Sequence, residues 1–172
     1  MTVTLAKLNT MSQADFITTL KAIYEHSPWV AEAVVDQRPF SSIDALAAAM
    51  QEQVDSAAES TQLYLIQAHP ELGSRKLESL TADSRREQRG AGLNGDGARI
   101  ERLLELNRAY RERHGFPFII AVSGLDIEDI LHALQERLPR STAKEQQESL
   151  EQIARIARIR LDGLVVEQQR IF

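Results

Sequence analysis

The stretch ARIERLLELNRAYRERH, Ala98 to His114, followed at once by Gly115, decides the fold. Its apolar residues recur at helical spacing (Ile100, Leu103, Leu104), and Gly115 is the residue type that ends a helix in a left-handed turn. Beyond it the pattern changes. FPFIIAV, Phe116 to Val122, is a short apolar run containing proline, which reads as a buried extended segment, an isolated strand too short for a sheet.

Outward from this pair, helical signals dominate in both directions. Towards the N-terminus, Thr81 or Asp83 opens a helix to about Ala91. Ser60 to Ala68 is another, which must stop by His69 because the residue before Pro70 is pushed out of the α region. Ser41 or Ser42 opens Ile43 to Ala58, Ser27 with Pro28 at the first helical position opens a short helix to Val35, and Ser12 with Asp15 opens one to about Tyr24. Towards the C-terminus, Asp126 with Asp129 opens a helix to Leu138, and Thr142 with Glu145 forms a capping box for a last helix reaching about Gln168. The reading is an all-α, single-domain bundle of about eight helices spanning residues 1–172.

Composition agrees with one domain. The 172 residues are 43% hydrophobic and 26% charged, a length that falls within the roughly 100 to 200 residues of a single core. No cysteine is present, which excludes disulfides, thiolate metal sites and thiol nucleophiles and points to a reducing compartment, the cytoplasm. No run approaches the ~20 apolar residues that span a bilayer. Residues 1–69 carry 3 basic and 8 acidic groups, residues 70–172 carry 17 of each, and a net charge of -5 argues against a nucleic-acid surface. The basic groups of the second part are nearly all arginine, suited to holding planar anions.

Several familiar motifs fail on context. Gly90, Gly92 and Gly95 spell G-x-G-x-x-G, but the residues before them are polar and helical where a dinucleotide cradle requires a strand. The histidines His26, His69, His114 and His132 are dispersed, so no metal site is expected. Ser123 before Gly124 lacks the preceding glycine of a nucleophile elbow.

Three features carry more. His69, at a helix C-terminus, can lie near the negative end of the helix dipole, which favours the imidazolium and suits a proton carrier; a capping histidine bonding its own helix is the alternative. Ser84, Glu87 and Gln88 fall on one face of a very polar helix, away from Arg85, Arg86 and Arg89. That helix is either solvated or turns a hydroxyl, a carboxylate and an amide into a pocket. In the last helix, at ~100° per residue, Arg160 lies within about 20° of Ile153 and about 40° of Leu164, whereas Arg155 and Arg158 project from the far side. A core-facing guanidinium either snorkels out or meets an anion, which is a protein carboxylate such as Glu87 or a ligand carboxylate. Our expectation is the ligand, with Arg160 kept in a hydrated pocket of the free protein and Arg160→Met nearly neutral for stability.

The strings His69-Pro70-Glu71-Leu72-Gly73, Ser84-x-x-Glu87-Gln88-x-x-Ala91-Gly92-Leu93, Asn107-x-x-Tyr110 with Gly115 to Ile120, and Ala157 to Leu161, in this order and spacing, resemble the OHCU decarboxylase family (2-oxo-4-hydroxy-4-carboxy-5-ureidoimidazoline decarboxylase) over nearly the whole chain. The resemblance implies an all-α, usually dimeric, cofactor-free enzyme of urate breakdown that converts OHCU to (S)-allantoin and carbon dioxide. By position it implies His69 and Glu87 as catalytic residues. Ser84, Gln88 and Arg160 would be the side chains that hold substrate, Pro70 lies beside the ligand, and the backbone of Phe118, Ile119, Ile120, Ala121 and Val122 meets the ureido and ring amides. The expected partner is this small molecule, together with a second copy of the chain in a homodimer, with neither nucleic acid nor membrane. Family members of eukaryotes often end in a peroxisomal address, whereas this chain ends Arg170-Ile171-Phe172, which suggests a bacterial, cytoplasmic enzyme. Two other readings are a helical ligand-binding domain without catalysis, which should lack one of His69, Glu87 or Arg160, and an enzyme for a related ureido or imidazolone acid.

Overall fold

A computed structural model of the chain describes residues 1–73, 81–91 and 97–168. The described residues form nine α-helices: α1 (Leu5–Thr10), α2 (Gln13–Leu20), α3 (Trp29–Val34), α4 (Ile43–Asp55), α5 (Glu59–Ala68), α6 (Ala82–Gly90), α7 (Gly97–His114), α8 (Ile127–Arg137) and α9 (Thr142–Leu164). A 3-10 turn at Val35–Gln37 and two-residue strands β1 (Val3–Thr4) and β2 (Val165–Val166) complete them. The all-α expectation holds. None of the described helices is long and apolar enough to cross a membrane. Gly92 and Gly95 of the glycine motif, Leu93 and the terminal Arg170 to Phe172 lie outside the described residues.

Contacts divide the chain into two compact units, residues 1–65 with 154–172, and residues 66–153. In the first, Leu8, Phe16, Leu20, Val30, Val34, Leu46, Met50, Val54 and Leu161 are buried. Arg38 lies over the Phe16 ring, 5.0 Å from its centroid. The same guanidinium donates to the carbonyls of Val35, Leu8 and Met11 at 2.9, 3.1 and 2.6 Å, which ties α1 to the turn after α3. β1 and β2 pair in parallel, Val3 with Val165 and Thr4 with Val166. Neither α1 nor this pairing is foreshadowed by periodicity.

Boundaries depart from the sequence reading where a local bond intervenes. α2 ends at Leu20 rather than near Tyr24, and the following turn contains His26 at φ 47°, incompatible with a continuing helix. Pro28 occupies the cap position of α3 rather than its first helical residue, and the Ser27 hydroxyl donates to the Glu25 carbonyl instead of capping. α9 is opened by Ser141, whose hydroxyl accepts from the Lys144 amide at 3.3 Å. The capping box of Thr142 with Glu145 is therefore not formed, because both side chains are committed elsewhere. Thr142 bonds the His114 ring at 2.9 Å, and Glu145 bonds Tyr110 and Arg137. The box of Asp126 with Asp129 on α8 is present as expected.

Candidate active site

In the second unit α7 is the spine. Asn107, Tyr110, Arg111 and His114 stand at helical spacing, so their side chains share one side of the helix. Asn107 donates to the Leu72 carbonyl at 2.8 Å, and Arg111 pairs with Glu71 at 2.6 Å, fixing the segment that follows His69. Tyr110 packs edge-on against Phe116 and Phe118, with centroids 6.1 and 5.3 Å away, and His114 stacks on Phe116. One helix thus holds both the His69–Gly73 segment and the start of the Phe116–Val122 segment. The Gln67 side chain adds a bond from the end of α5 to the Gly115 carbonyl. His114 is not a chemical candidate: its two ring nitrogens meet Thr142 at 2.9 Å and the Leu138 carbonyl at 3.0 Å, linking α7 to the loop before α9.

His69 follows the last residue of α5, as Pro70 demands, with its N–H on the Ile66 carbonyl at 3.3 Å and its side chain buried. Pro70 is half-buried. The chain then turns through Gly73 at φ 70°, where a Cβ would stand 3.0 Å from the Leu103 side chain. Gly73→Ala is expected to lower stability by about 1–2 kcal/mol from the left-handed backbone alone, read as a lower urea midpoint at unchanged slope. A variant with the wild-type midpoint would show that this turn can relax.

α6 is capped by the Thr81 hydroxyl, which accepts from the Ser84 amide at 3.1 Å. Ser84 and Gln88 are buried, Glu87 is half-buried, and Arg85, Arg86 and Arg89 are exposed. The polar face of this helix is turned inward, so the solvated-helix reading does not hold. Gln88 accepts from the Gly73 amide at 3.0 Å, and this bond joins the helix of Glu87 to the segment of His69.

The Phe118–Val122 segment forms neither helix nor strand; Phe118, Ile119 and Val122 are buried, and Ile120 and Ala121 half-buried. Side chains rather than a neighbouring strand bond two of its backbone groups. Arg137 of α8 donates to the Ile119 carbonyl at 2.7 Å, and Gln152 of α9 accepts from the Ala121 amide at 3.0 Å. Arg137 also lies 4.4 Å from the Phe118 ring centroid and donates to Glu145 at 2.8 Å. The same Glu145 oxygen accepts from the Tyr110 hydroxyl at 2.7 Å. Burial pushes the Tyr110 phenol above its ordinary range, and the bond to Glu145 pushes it the same way, so it stays a donor. Sequence reasoning missed Arg137, Glu145 and Gln152. Only the Asn107-x-x-Tyr110 spacing hinted that α7 holds two segments.

Arg160 belongs to the first unit and is buried, while Arg155 is exposed. The expectation of a hydrated pocket is corrected here. Arg160 pairs with Glu25 at 2.8 Å, with 5% and 0% of the two side chains exposed, and donates to the Ala22 carbonyl at 3.2 Å. A guanidinium removed from water requires an anion, and Glu25, in the turn between α2 and α3, supplies one. A cavity of about 330 Å³ in this unit, lined among others by Ile23, Tyr24, Met50, Ala157 and Leu161, includes none of the expected site residues.

Among the described residues no group of three or more His, Asp or Glu side chains is placed to hold a metal ion. Comparison with known proteins then identifies the lineage. The chain is 40% identical over 164 residues to a 2-oxo-4-hydroxy-4-carboxy-5-ureidoimidazoline decarboxylase of Halalkalicoccus jeotgali, covering 95% of this chain and 92% of the relative. It is 43% identical over 166 residues to the uric acid degradation bifunctional protein PucL of Bacillus subtilis, covering 96% of this chain and 33% of that longer protein. A crystal structure of (S)-allantoin synthase superposes with a TM-score of 0.76 at 35% identity, over 94% of this chain and 54% of that one. The family model described as OHCU decarboxylase matches residues 9–162, and the chain belongs to the OHCU decarboxylase family.

Proposed function

We propose that this protein decarboxylates 2-oxo-4-hydroxy-4-carboxy-5-ureidoimidazoline (OHCU) to (S)-allantoin in urate breakdown, as a cofactor-independent, cytoplasmic homodimer. The observation that carries the reading is the Gln88–Gly73 bond, which in a chain of this family joins the His69 segment to the inward-turned face of α6.

The substrate explains why no cofactor is required. Its carboxylate sits on a carbon adjacent to a C=N carbon, so the electrons left by departing carbon dioxide form a new C=C bond while the imine electrons move to nitrogen, which takes a proton. The hydroxyl then loses its proton as the carbonyl forms, and the ureido-bearing carbon gains one. The chain has to hold the carboxylate, move protons and choose a face. Arg160 orients the carboxylate so that the breaking bond aligns with the π system, a positioning effect. His69 and Glu87 divide the proton transfers at the hydroxyl and at carbon, and delivery to one face sets the S configuration. Ser84, Gln88 and the backbone of Phe118 to Val122 hold the ring and ureido groups, with Pro70 against the ligand.

The test is to generate OHCU in situ and follow optical activity. (S)-Allantoin forming no faster than in the blank overturns the proposal. Within it, Glu87→Gln keeps size and helix propensity, so the far-ultraviolet circular dichroism is expected to be unchanged and kcat to fall by ~10²-fold or more. An unaltered kcat would remove Glu87 from the chemistry.

A further inference from the structure

Two buried side chains grip the Phe118–Val122 segment, and the atoms they grip belong to adjacent peptide groups. Arg137 donates to the carbonyl of the Ile119–Ile120 peptide at 2.7 Å, and Gln152 accepts from the N–H of the Ile120–Ala121 peptide at 3.0 Å. A trans peptide group is planar with its C=O and N–H pointing in opposite directions. The Ile120 N–H therefore faces away from Arg137, and the Ile120 C=O faces away from Gln152. Among the described residues neither of these two groups of Ile120 has a hydrogen-bond partner. Ile120 itself is half-buried, where Phe118 and Ile119 are buried.

The grip also changes what those groups can do. A charge-assisted bond to a peptide carbonyl draws electron density along the amide and makes the N–H at its other end a stronger donor, and a bond accepted from a peptide N–H makes the carbonyl at its other end a stronger acceptor. The orientation of both grips is itself constrained. Arg137 is held by Glu145 at 2.8 Å and lies over the Phe118 ring, and Gln152 is oriented by donating to Glu148 at 3.0 Å. Gln152 thus has to present its oxygen, not its nitrogen, to Ala121.

We propose that Arg137 and Gln152 are positioning residues that set the N–H and C=O of Ile120 as a polarised donor and acceptor pair for an amide or ureide edge of the ligand. This rests on the reading of the Phe118–Val122 segment as a ligand-contacting one. A urea or lactam offers N–H and C=O side by side, the complement of one residue's N–H and C=O. Because both substrate and product carry such edges, the pair acts on binding rather than on the bond-breaking step.

The experiment compares the wild-type protein, Gln152→Met, and the exchanged pair Gln152→Glu with Glu148→Gln, which rebuilds both hydrogen bonds with donor and acceptor still in order. (S)-Allantoin affinity is read by calorimetry, KM and kcat by the OHCU assay, and the Ile120 amide by nitrogen-15 NMR during allantoin titration. Gln152→Met is expected to weaken allantoin binding and raise KM by about five- to tenfold, the worth of one hydrogen bond, with kcat changed less than twofold. The exchanged pair is expected to recover most of that loss. If Gln152→Met fails to fold, the exchanged pair decides alone: folded, with affinity reduced as far as a Glu148→Gln control or further, it overturns the proposal. Wild-type KM in folded Gln152→Met also overturns it. An Ile120 amide unmoved by allantoin in the wild-type protein would remove the underlying contact itself, whereas a moving amide with an unaffected Gln152→Met protein would remove only the positioning role.

Discussion

Replacing His69 by Asn is expected to lower turnover of OHCU by ~10²- to 10⁴-fold, the usual contribution of a general acid or base, while the helical circular dichroism stays at the wild-type level. His69 is buried but lies past the last residue of α5, where the proline after it already ends the helix, so the substitution breaks no helical register. The loss should fall on kcat more than on KM, because binding is assigned to other groups. A protein retaining more than half its activity would exclude His69 as a proton carrier and leave it as the cap of its own helix.

Arg160→Met should have the largest effect on stability. With Arg160 gone, the Glu25 carboxylate, with 0% of its side chain exposed, loses a cation at 2.8 Å. Breaking a buried pair from one side costs ~3 to 5 kcal/mol, which for a chain of this size lowers the melting temperature by roughly 6 to 20 °C. Adding Glu25→Gln removes the buried charge that Arg160 balanced and should restore much of the loss. Turnover should not return with it, because the carboxylate of the substrate would still lack its holder. Arg160→Lys separates the roles further: a point charge can satisfy Glu25 but cannot make the planar two-pronged contact, so stability should survive better than kcat. A melting temperature of Arg160→Met within 2 °C of wild type would show that the pair with Glu25 contributes little. Equal loss of affinity for (S)-allantoin and for a carboxylate-bearing analogue would show that Arg160 does not read the carboxylate.

What could be read in the sequence was whatever local chemistry decides. Asp126 with Asp129 capped α8 as written, Thr81 capped α6, Pro70 stopped α5, and the angular position of Arg160 placed it on a buried face. The misreadings arose where a distant residue competed for a local one. Glu145 has the spacing of a capping box, yet Tyr110 and Arg137 claim it, and Tyr110 is 35 positions away. Arg160 required an anion by elementary electrostatics, but its partner lies 135 positions earlier in a turn with no periodic signal. For the candidate site, His69, Glu87 and Arg160 are proposed from residue types at helical spacing and from family resemblance. The residues that hold the backbone of Ile119 and Ala121, Arg137 and Gln152, were not legible, since a side chain reaching a peptide group leaves no pattern in the chain.

The pairing of Val3 with Val165 and Thr4 with Val166 has a consequence for the order of folding. It brings together positions from nearly opposite ends of the chain. Closing so long a loop carries an entropy cost that grows only logarithmically with length, but a two-residue ladder returns very little against it. Such a contact cannot nucleate. It forms after α1 and the end of α9 have already been brought near each other, and it is the first to release when the ends fray. The ladder therefore acts as a latch on an assembled molecule, and its amides should exchange with solvent through small local openings long before those of α7 do.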